Sequence, residues 1–184
     1  MVVRTTIHEQ GENESRSRGF SLIELLVVIA IILVIAALAI PNFLRAKISA
    51  NQAGAASTIR TINTASAQYQ ASWNNGYPPS LAVLGTVGAT ATCNGAMVLD
   101  PTITTAPNQK SGYTFAYTPQ GASISSPPAG CAAGYSSYLI TAVPTTFLTG
   151  TNSYCSDDSN VLHFDVTGAV STTPAACDSL PAVQ

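Results

Sequence analysis

Charge is what this chain has least of. Asp, Glu, Lys and Arg make up 9% of its 184 residues, seven basic against nine acidic, for a formal net charge of −2; an ordinary soluble domain carries about 25%. The shortage excludes a nucleic-acid binder, which needs a concentrated basic footprint. It does not indicate disorder, because 46% of the residues are hydrophobic and disordered chains are poor in them. Beyond the first 19 residues His163 is the single histidine, and none of the four cysteines forms a C-x-x-C pair, which argues against zinc. No nucleophile motif, phosphate-binding glycine pattern or internal repeat is present. Two classes remain: a membrane-attached protein, or an exported one whose surface is Ser, Thr, Asn and Gly rather than charge.

The few charges are unevenly placed. Arg4, Glu9, Glu12, Glu14, Arg16 and Arg18 all lie in residues 1–19, whereas no charge occurs between Glu24 and Arg45. The run Leu25–Ile40 is entirely Leu, Ile, Val and Ala, and the segment Phe20–Leu44 has 25 residues, enough for a bilayer-spanning helix, which needs about 20. No short apolar stretch leads to an A-x-A site, as a secretory signal would require. The basic flank Arg16-Ser17-Arg18-Gly19 precedes the span, which places the N-terminus in the cytoplasm and the remainder outside. Glu24 stands inside the apolar stretch. An unpaired carboxylate is expensive there, so Glu24 either marks the headgroup boundary or is a functional acid.

Gly19-Phe20-Ser21-Leu22-Ile23-Glu24, with the apolar run and Pro41 behind it, resembles the class III signal of type IV pilins and pseudopilins, in the Phe-first subgroup. The likeness is close over residues 16–45 and loose over 20–80. It implies cleavage between Gly19 and Phe20 by a membrane-embedded prepilin peptidase, followed by N-methylation of Phe20. Glu24 would then pair with the amino terminus of a neighbouring subunit during filament assembly, which gives a buried carboxylate its opposite charge. A leader of 19 residues exceeds the short leader usual in this subgroup, so either the leader is extended or translation starts downstream. The resemblance further implies a homopolymer, extracted from the membrane by a cytoplasmic assembly ATPase and membrane platform proteins.

Pro41 removes a backbone donor and is expected to kink the helix rather than end it, because Phe43-Leu44-Arg45-Ala46-Lys47 resumes with helix formers. Ile48, Gln52, Ala55, Ile59, Ile62, Ser66, Tyr69 and Trp73 then recur at alternating four- and three-residue steps, which predicts one helical face. The helix is predicted from about Ser21 to about Trp73, stopped by Asn74-Asn75-Gly76-Tyr77-Pro78-Pro79. Phe20, Phe43, Tyr69, Trp73 and Tyr77 could form an electron-hopping path. Aromatics at helical spacing are far more often packing residues, and that is the reading adopted.

Residues 80–184 change texture, toward Gly, Pro, Thr, Ser and Ala. Strands are predicted at Tyr113–Thr118, Ser137–Ala142 and Val161–Val166, the last turning at Thr167-Gly168 into Ala169–Thr172. Alternation of Tyr113, Phe115 and Tyr117 fits a sheet with one face on the helix and the other toward solvent. The fold class is α+β: a long N-terminal helix, its proximal half transmembrane, with a small antiparallel sheet on its distal half, as the pilin resemblance also implies. Cys93, Cys131, Cys155 and Cys177 are disulfide candidates with three possible connectivities; Cys155–Cys177 around the Val161–Thr172 hairpin is favoured, which leaves Cys93–Cys131. His163 with Asp157, Asp158 and Asp165 invites a hydrolytic or metal reading, but Ser156-Asp157-Asp158-Ser159-Asn160 also reads as a solvated polar loop. No catalytic residue, metal ligand or cofactor is assigned. Calcium alone is worth naming, because some related pseudopilins carry it and oxygen-rich loops suit it.

The segments are therefore a cleaved cytoplasmic leader (1–19), a transmembrane and filament-core helix (20–44), its amphipathic continuation (45–75) and a disulfide-bearing β-rich outer domain (76–184). The expected protein is not an enzyme but a structural subunit of a type IV pilus, held in the inner membrane before assembly and at the cell surface afterwards. Two alternatives stand beside it. One is the major pseudopilin of a type II secretion system; the other is a membrane-anchored periplasmic binding domain with an uncleaved span.

Overall fold

A computed structural model describes residues 19–183, so most of the expected leader lies outside the described residues. The chain divides into two compact units, Met1–Pro41 and Asn42–Gln184. One helix, α1 (Leu22–Trp73, 52 residues), supplies the described helix of both and carries Pro41 in its interior. Proline here deletes one i→i−4 bond without ending the helix, since strong helix formers stand on both sides.

In the second unit, α1 is amphipathic. Ala55, Ile59, Ile62, Ser66 and Tyr69 are buried, and Ala56, Thr58, Asn63 and Ala65 widen the buried face. Ile48, Gln52 and Trp73, assigned to the same stripe, are only half-buried. At the Ile48–Gln52 end of the stripe the neighbour is a loop, from which Thr151 Oγ1 accepts a hydrogen bond from Gln52 Nε2 at 2.9 Å. The helix ends at Asn74, whose φ of +45° is left-handed, a conformation asparagine tolerates better than most residues. Tyr77 then exchanges backbone hydrogen bonds with Tyr135, at 2.8 and 2.9 Å. This crossing requires glycine at 134, because a Cβ there would come 1.8 Å from the Asn75 carbonyl oxygen.

Two short helices follow, α2 (Leu81–Leu84) and α3 (Pro101–Thr104), the second capped by the Asp100 carboxylate. Five antiparallel strands then run in sequence order: β1 (Gln109–Lys110), β2 (Tyr113–Ser123), β3 (Tyr135–Pro144), β4 (Ser153–Asp157) and β5 (His163–Asp165). Their register pairs Phe115 with Ala142, Tyr117 with Ile140, Thr141 with Cys155 and Cys155 with His163. Pro119 is tolerated within β2 because β1 pairs only with Tyr113 and Thr114, leaving that side of the strand without a ladder. The short helix α4 (Pro174–Asp178), capped by Thr173, comes last.

Strand alternation sends Tyr113, Phe115, Tyr138, Ile140, Ala142 and Tyr154 to the face that packs on α1, in one core cluster with Ile59, Ile62 and Tyr69. The opposite face meets solvent on β2, where Ala116 and Thr118 are exposed, but not throughout the sheet. Leu139 and Cys155 are covered there by Cys177 and Leu180 of the α4 segment. A second correction concerns the last hairpin. The strand expected at Val161–Val166 shortens to His163–Asp165, Ala169–Thr172 is not a strand, and the partner is β4. Ser156 and Asp157, expected in a solvated loop, are buried strand residues. Their polarity hid the strand, because Ser156 reaches a polar partner on α1 that the local sequence does not reveal.

Candidate functional site

Gly19, Phe20, Ser21 and Glu24 occupy the start of α1. Ser21 is the residue before the first helical position, and its carbonyl accepts the first helical bond from Leu25 N–H at 3.2 Å. Glu24, at the third helical position, turns back so that Oε2 accepts the Ser21 N–H at 2.9 Å. This is the carboxylate half of a capping box, which satisfies an orphan donor and sets negative charge at the positive end of the helix dipole. The Ser-x-x-Glu spacing carries that signal in the sequence, a role distinct from both the headgroup-boundary and the functional-acid readings of Glu24. A carboxylate has about four acceptor sites, so the backbone bond leaves Glu24 capacity for a further donor.

The peptide bond between Gly19 and Phe20 is open. Among the described residues nothing beyond its chain neighbours lies within 4 Å of where a Gly19 Cβ would stand, and Phe20 is 82% exposed. Behind it α1 is apolar on every side, with Leu22, Ile31, Leu38 and Phe43 all exposed. Its most apolar stretch reaches a mean hydropathy of 3.2 with none of that window buried, long and apolar enough to cross a membrane. A helix apolar all round takes its stability from lipid or from other helices.

The four cysteines pair as Cys93–Cys131 and Cys155–Cys177. The remaining chemistry-bearing side chains serve the fold. His163 Nδ1 donates to the Leu180 carbonyl at 2.7 Å, with Nε2 3.7 Å from Asp178. The Asp165 carboxylate accepts both the N–H and the hydroxyl of Thr167, which hold its pKa below the usual carboxylate range. Asp157 accepts the Ser159 N–H, and Asp158 accepts the Ser137 hydroxyl. Among the described residues no group of three or more His, Cys, Asp or Glu side chains could hold a metal ion.

Sequence reasoning also missed a buried polar network with no local signature. Asn63 Nδ2 donates to Ser156 Oγ at 2.8 Å, and the Tyr138 hydroxyl donates to Asn63 Oδ1 at 3.2 Å. Tyr138 stacks on Tyr117 with ring centres 5.3 Å apart and meets Tyr77 edge-on at 4.7 Å. Tyr69 and Tyr77 therefore act as packing residues, and Trp73 packs against the same core. Burial, above all, raises the pKa of Tyr113 to about 12 and pushes those of Tyr117 and Tyr138 upward as well. A raised folded-state pKa favours the neutral phenol, so the stability it brings is complete below the unfolded value near 10. That stability drains away as pH rises from 10 through about 12. Alkaline titration followed by phenolate absorbance is expected to show Tyr113, Tyr117 and Tyr138 ionising together with loss of tertiary structure. Titration of all seven tyrosines near pH 10 in an intact fold would contradict this.

Residues 15–40 match the family model for the prokaryotic N-terminal methylation motif. The chain is 46% identical over 50 residues to the type IV major pilin protein PilA of Myxococcus xanthus, a match covering 27% of this chain and 23% of that one. It is 40% identical over 68 residues to type II secretion system core protein G of Pectobacterium carotovorum subsp. carotovorum, covering 37% and 43%. It is likewise 40% identical over 76 residues to the type IV wide pilus major component PilA4 of Thermus thermophilus, covering 41% and 57%. The chain thus spans between about a quarter and just over half of the length of these relatives. No solved structure matches it.

Proposed function

We propose that this chain, whose N-terminal segment matches the methylation motif and is similar to two type IV pilins and a type II secretion core protein, is the structural subunit of a type IV pilus filament rather than an enzyme. The observation that carries the reading is the start of α1. An exposed Gly19–Phe20 bond stands directly before a carboxylate-capped helix whose most apolar window is exposed. Prepilin peptidase cleaves that bond at the cytoplasmic face and methylates the new Phe20 amino terminus. Assembly then moves the apolar helix from lipid into a bundle of like helices. There Glu24 meets the amino terminus of a neighbour, a second donor for its unused acceptor sites. The chain carries no nucleotide-binding motif, so an ATPase acting through membrane platform proteins supplies the work of extraction.

Intact-mass and N-terminal analysis of the envelope protein tests the first step. The expected product starts at methylated Phe20, and an uncleaved chain would instead fit a membrane-anchored binding domain. Gly19→Ala is expected to slow processing by about a hundredfold, because one added methyl displaces the scissile bond in the peptidase, and precursor should accumulate on immunoblots. Normal processing of this variant would remove Gly19 from its role.

The likeness to a type II secretion core protein supports a second reading, a short pseudopilus. Deleting the gene separates the two. Loss of surface filaments with secretion intact supports the pilus; loss of protein export without loss of filaments supports the pseudopilus.

A further inference from the structure

Where α1 enters it, the second unit ends in an apolar tip with basic side chains at the same level. We propose that this tip docks on the lipid surface of the bilayer that α1 crosses, so that the outer unit lies against the membrane before assembly. The proposal goes beyond the filament reading and takes from it only the span.

Contacts with α1 fix the level of the tip. Asn51 Nδ2 donates to the Thr149 carbonyl at 2.9 Å, Gln52 reaches Thr151, and a Cβ on Gly54 would meet the Ser111 hydroxyl. At the other end of the unit Tyr138 bonds to Asn63, and Tyr135 to Tyr77 beyond the helix. β3 therefore runs along α1 toward Asn51 and leads into the Thr146–Thr149 turn. Phe147 and Leu148 form the tip of that turn, 79% and 58% exposed. β5 ends at the same level, since Asp165 pairs with Ser153, whose hydroxyl donates to the Ala169 carbonyl. A Cβ on Gly168 would stand 3.4 Å from the Thr151 carbonyl. Exposed Val166 and Val170 thus lie on a loop adjoining the turn.

What adjoins the tip identifies its occupant. The apolar segment ends at Phe43 and Leu44, both exposed and both within this unit. From Leu44 to Asn51 the helix rises about 10 Å, and a headgroup layer is about 5–8 Å deep. The turn continues the course of β3 toward Leu44, which brings Phe147 and Leu148 to the depth of the interface. Apolar residues exposed singly need no explanation, but a group of them on two adjoining loops beside the end of a membrane span does. Arg45 and Lys47 flank the end of the apolar segment, and Lys110 stands at the β1–β2 turn, all three exposed. They outnumber the acids nearest them, Asp165 and Asp100, whose carboxylates are bonded to Thr167 and Thr102. A layer of anionic headgroups surrounds the helix, so it attracts bases at one level on whichever side they point. Their long stems keep the charge among headgroups while the apolar tip sinks below.

The test is tryptophan quenching in the full-length chain, reconstituted at low density in phosphatidylethanolamine–phosphatidylglycerol vesicles that contain brominated phosphatidylcholine. Trp73, the one native tryptophan, gives a constant background. Lipid brominated near the headgroup is expected to remove most of the added emission of Phe147→Trp and of Leu148→Trp. Val161→Trp, at the opposite end of the sheet, should keep its emission. High salt, or exchange of phosphatidylglycerol for phosphatidylcholine, should weaken the quenching. With Phe147 and Leu148 both changed to Ser, Val170→Trp is expected to be no more quenched than Val161→Trp. Leu33→Trp, in the apolar run, reports the span through lipid brominated deeper in its chains. Quenching at 33 with none at 147 and 148 overturns the docking and leaves the span intact; no quenching at 33 overturns both. Blue-shifted emission at 147 that bromine does not quench, and that grows with protein density, means that a second copy covers the tip and overturns the docking as well.

Discussion

Filaments are expected to disappear in a Glu24→Gln variant, although the subunit should still be cleaved, methylated and membrane-bound. The choice of glutamine separates two duties of one side chain. Its amide oxygen can still accept the Ser21 N–H that Glu24 Oε2 accepts at 2.9 Å, so the helix start is preserved. What it lacks is charge. In an apolar bundle a methylated ammonium left facing a neutral amide is an uncompensated buried cation, a loss of about 3–5 kcal/mol per subunit contact. That is more than two powers of ten in the affinity of each addition, and a filament multiplies the defect at every joint. Glu24→Asp would keep the charge on a shorter arm and is expected to assemble partially. Electron microscopy of the surface, with immunoblots of the membrane fraction, gives the comparison. Abundant filaments from Glu24→Gln would mean that Glu24 serves the helix start alone.

The second large effect is expected in the outer domain. Replacing Cys155 and Cys177 together by alanine should destabilise it by about 3 kcal/mol, the unfolded-state entropy regained on opening a loop with a sequence separation of 22. Domains of this kind hold roughly 5–15 kcal/mol in all, so the variant sits close to its unfolding threshold. The bridge also secures the segment that carries Cys177 and Leu180 over Leu139 and Cys155, and its loss bares that face. Denaturant titration of the full chain in detergent, oxidised and as the double-alanine variant, measures the shift. An unchanged midpoint would show that α4 holds its place by packing alone.

The N-terminal half was legible because its physics is local. A run of Leu, Ile, Val and Ala propagates as helix whatever surrounds it, and Ser21 and Glu24 sit at fixed capping spacing. The helix was expected from about Ser21 to about Trp73, and α1 occupies Leu22–Trp73. β2 and β3 were also readable, since Tyr113, Phe115 and Tyr117 alternate with polar residues and Ser137–Ala142 is rich in β-formers. The last hairpin was not, because β4 is Ser-Tyr-Cys-Ser-Asp, a composition typical of loops. Its strand state depends on pairing to both β3 and β5 and on the Asn63–Ser156 bond across 93 residues.

By itself, then, the sequence determined the helix, its membrane-competent apolar run, the Gly19–Glu24 motif and the scarcity of charge, all properties of neighbouring residues. Only the tertiary structure decided that Leu139 and Cys155 on the outer face of the sheet are covered by the α4 segment, and that Ser156 and Asp157 are buried. Those outcomes depend on which distant segments meet. Long-range pairing is selected by the summed burial and hydrogen bonding of the whole unit, a quantity that no short window of residues contains.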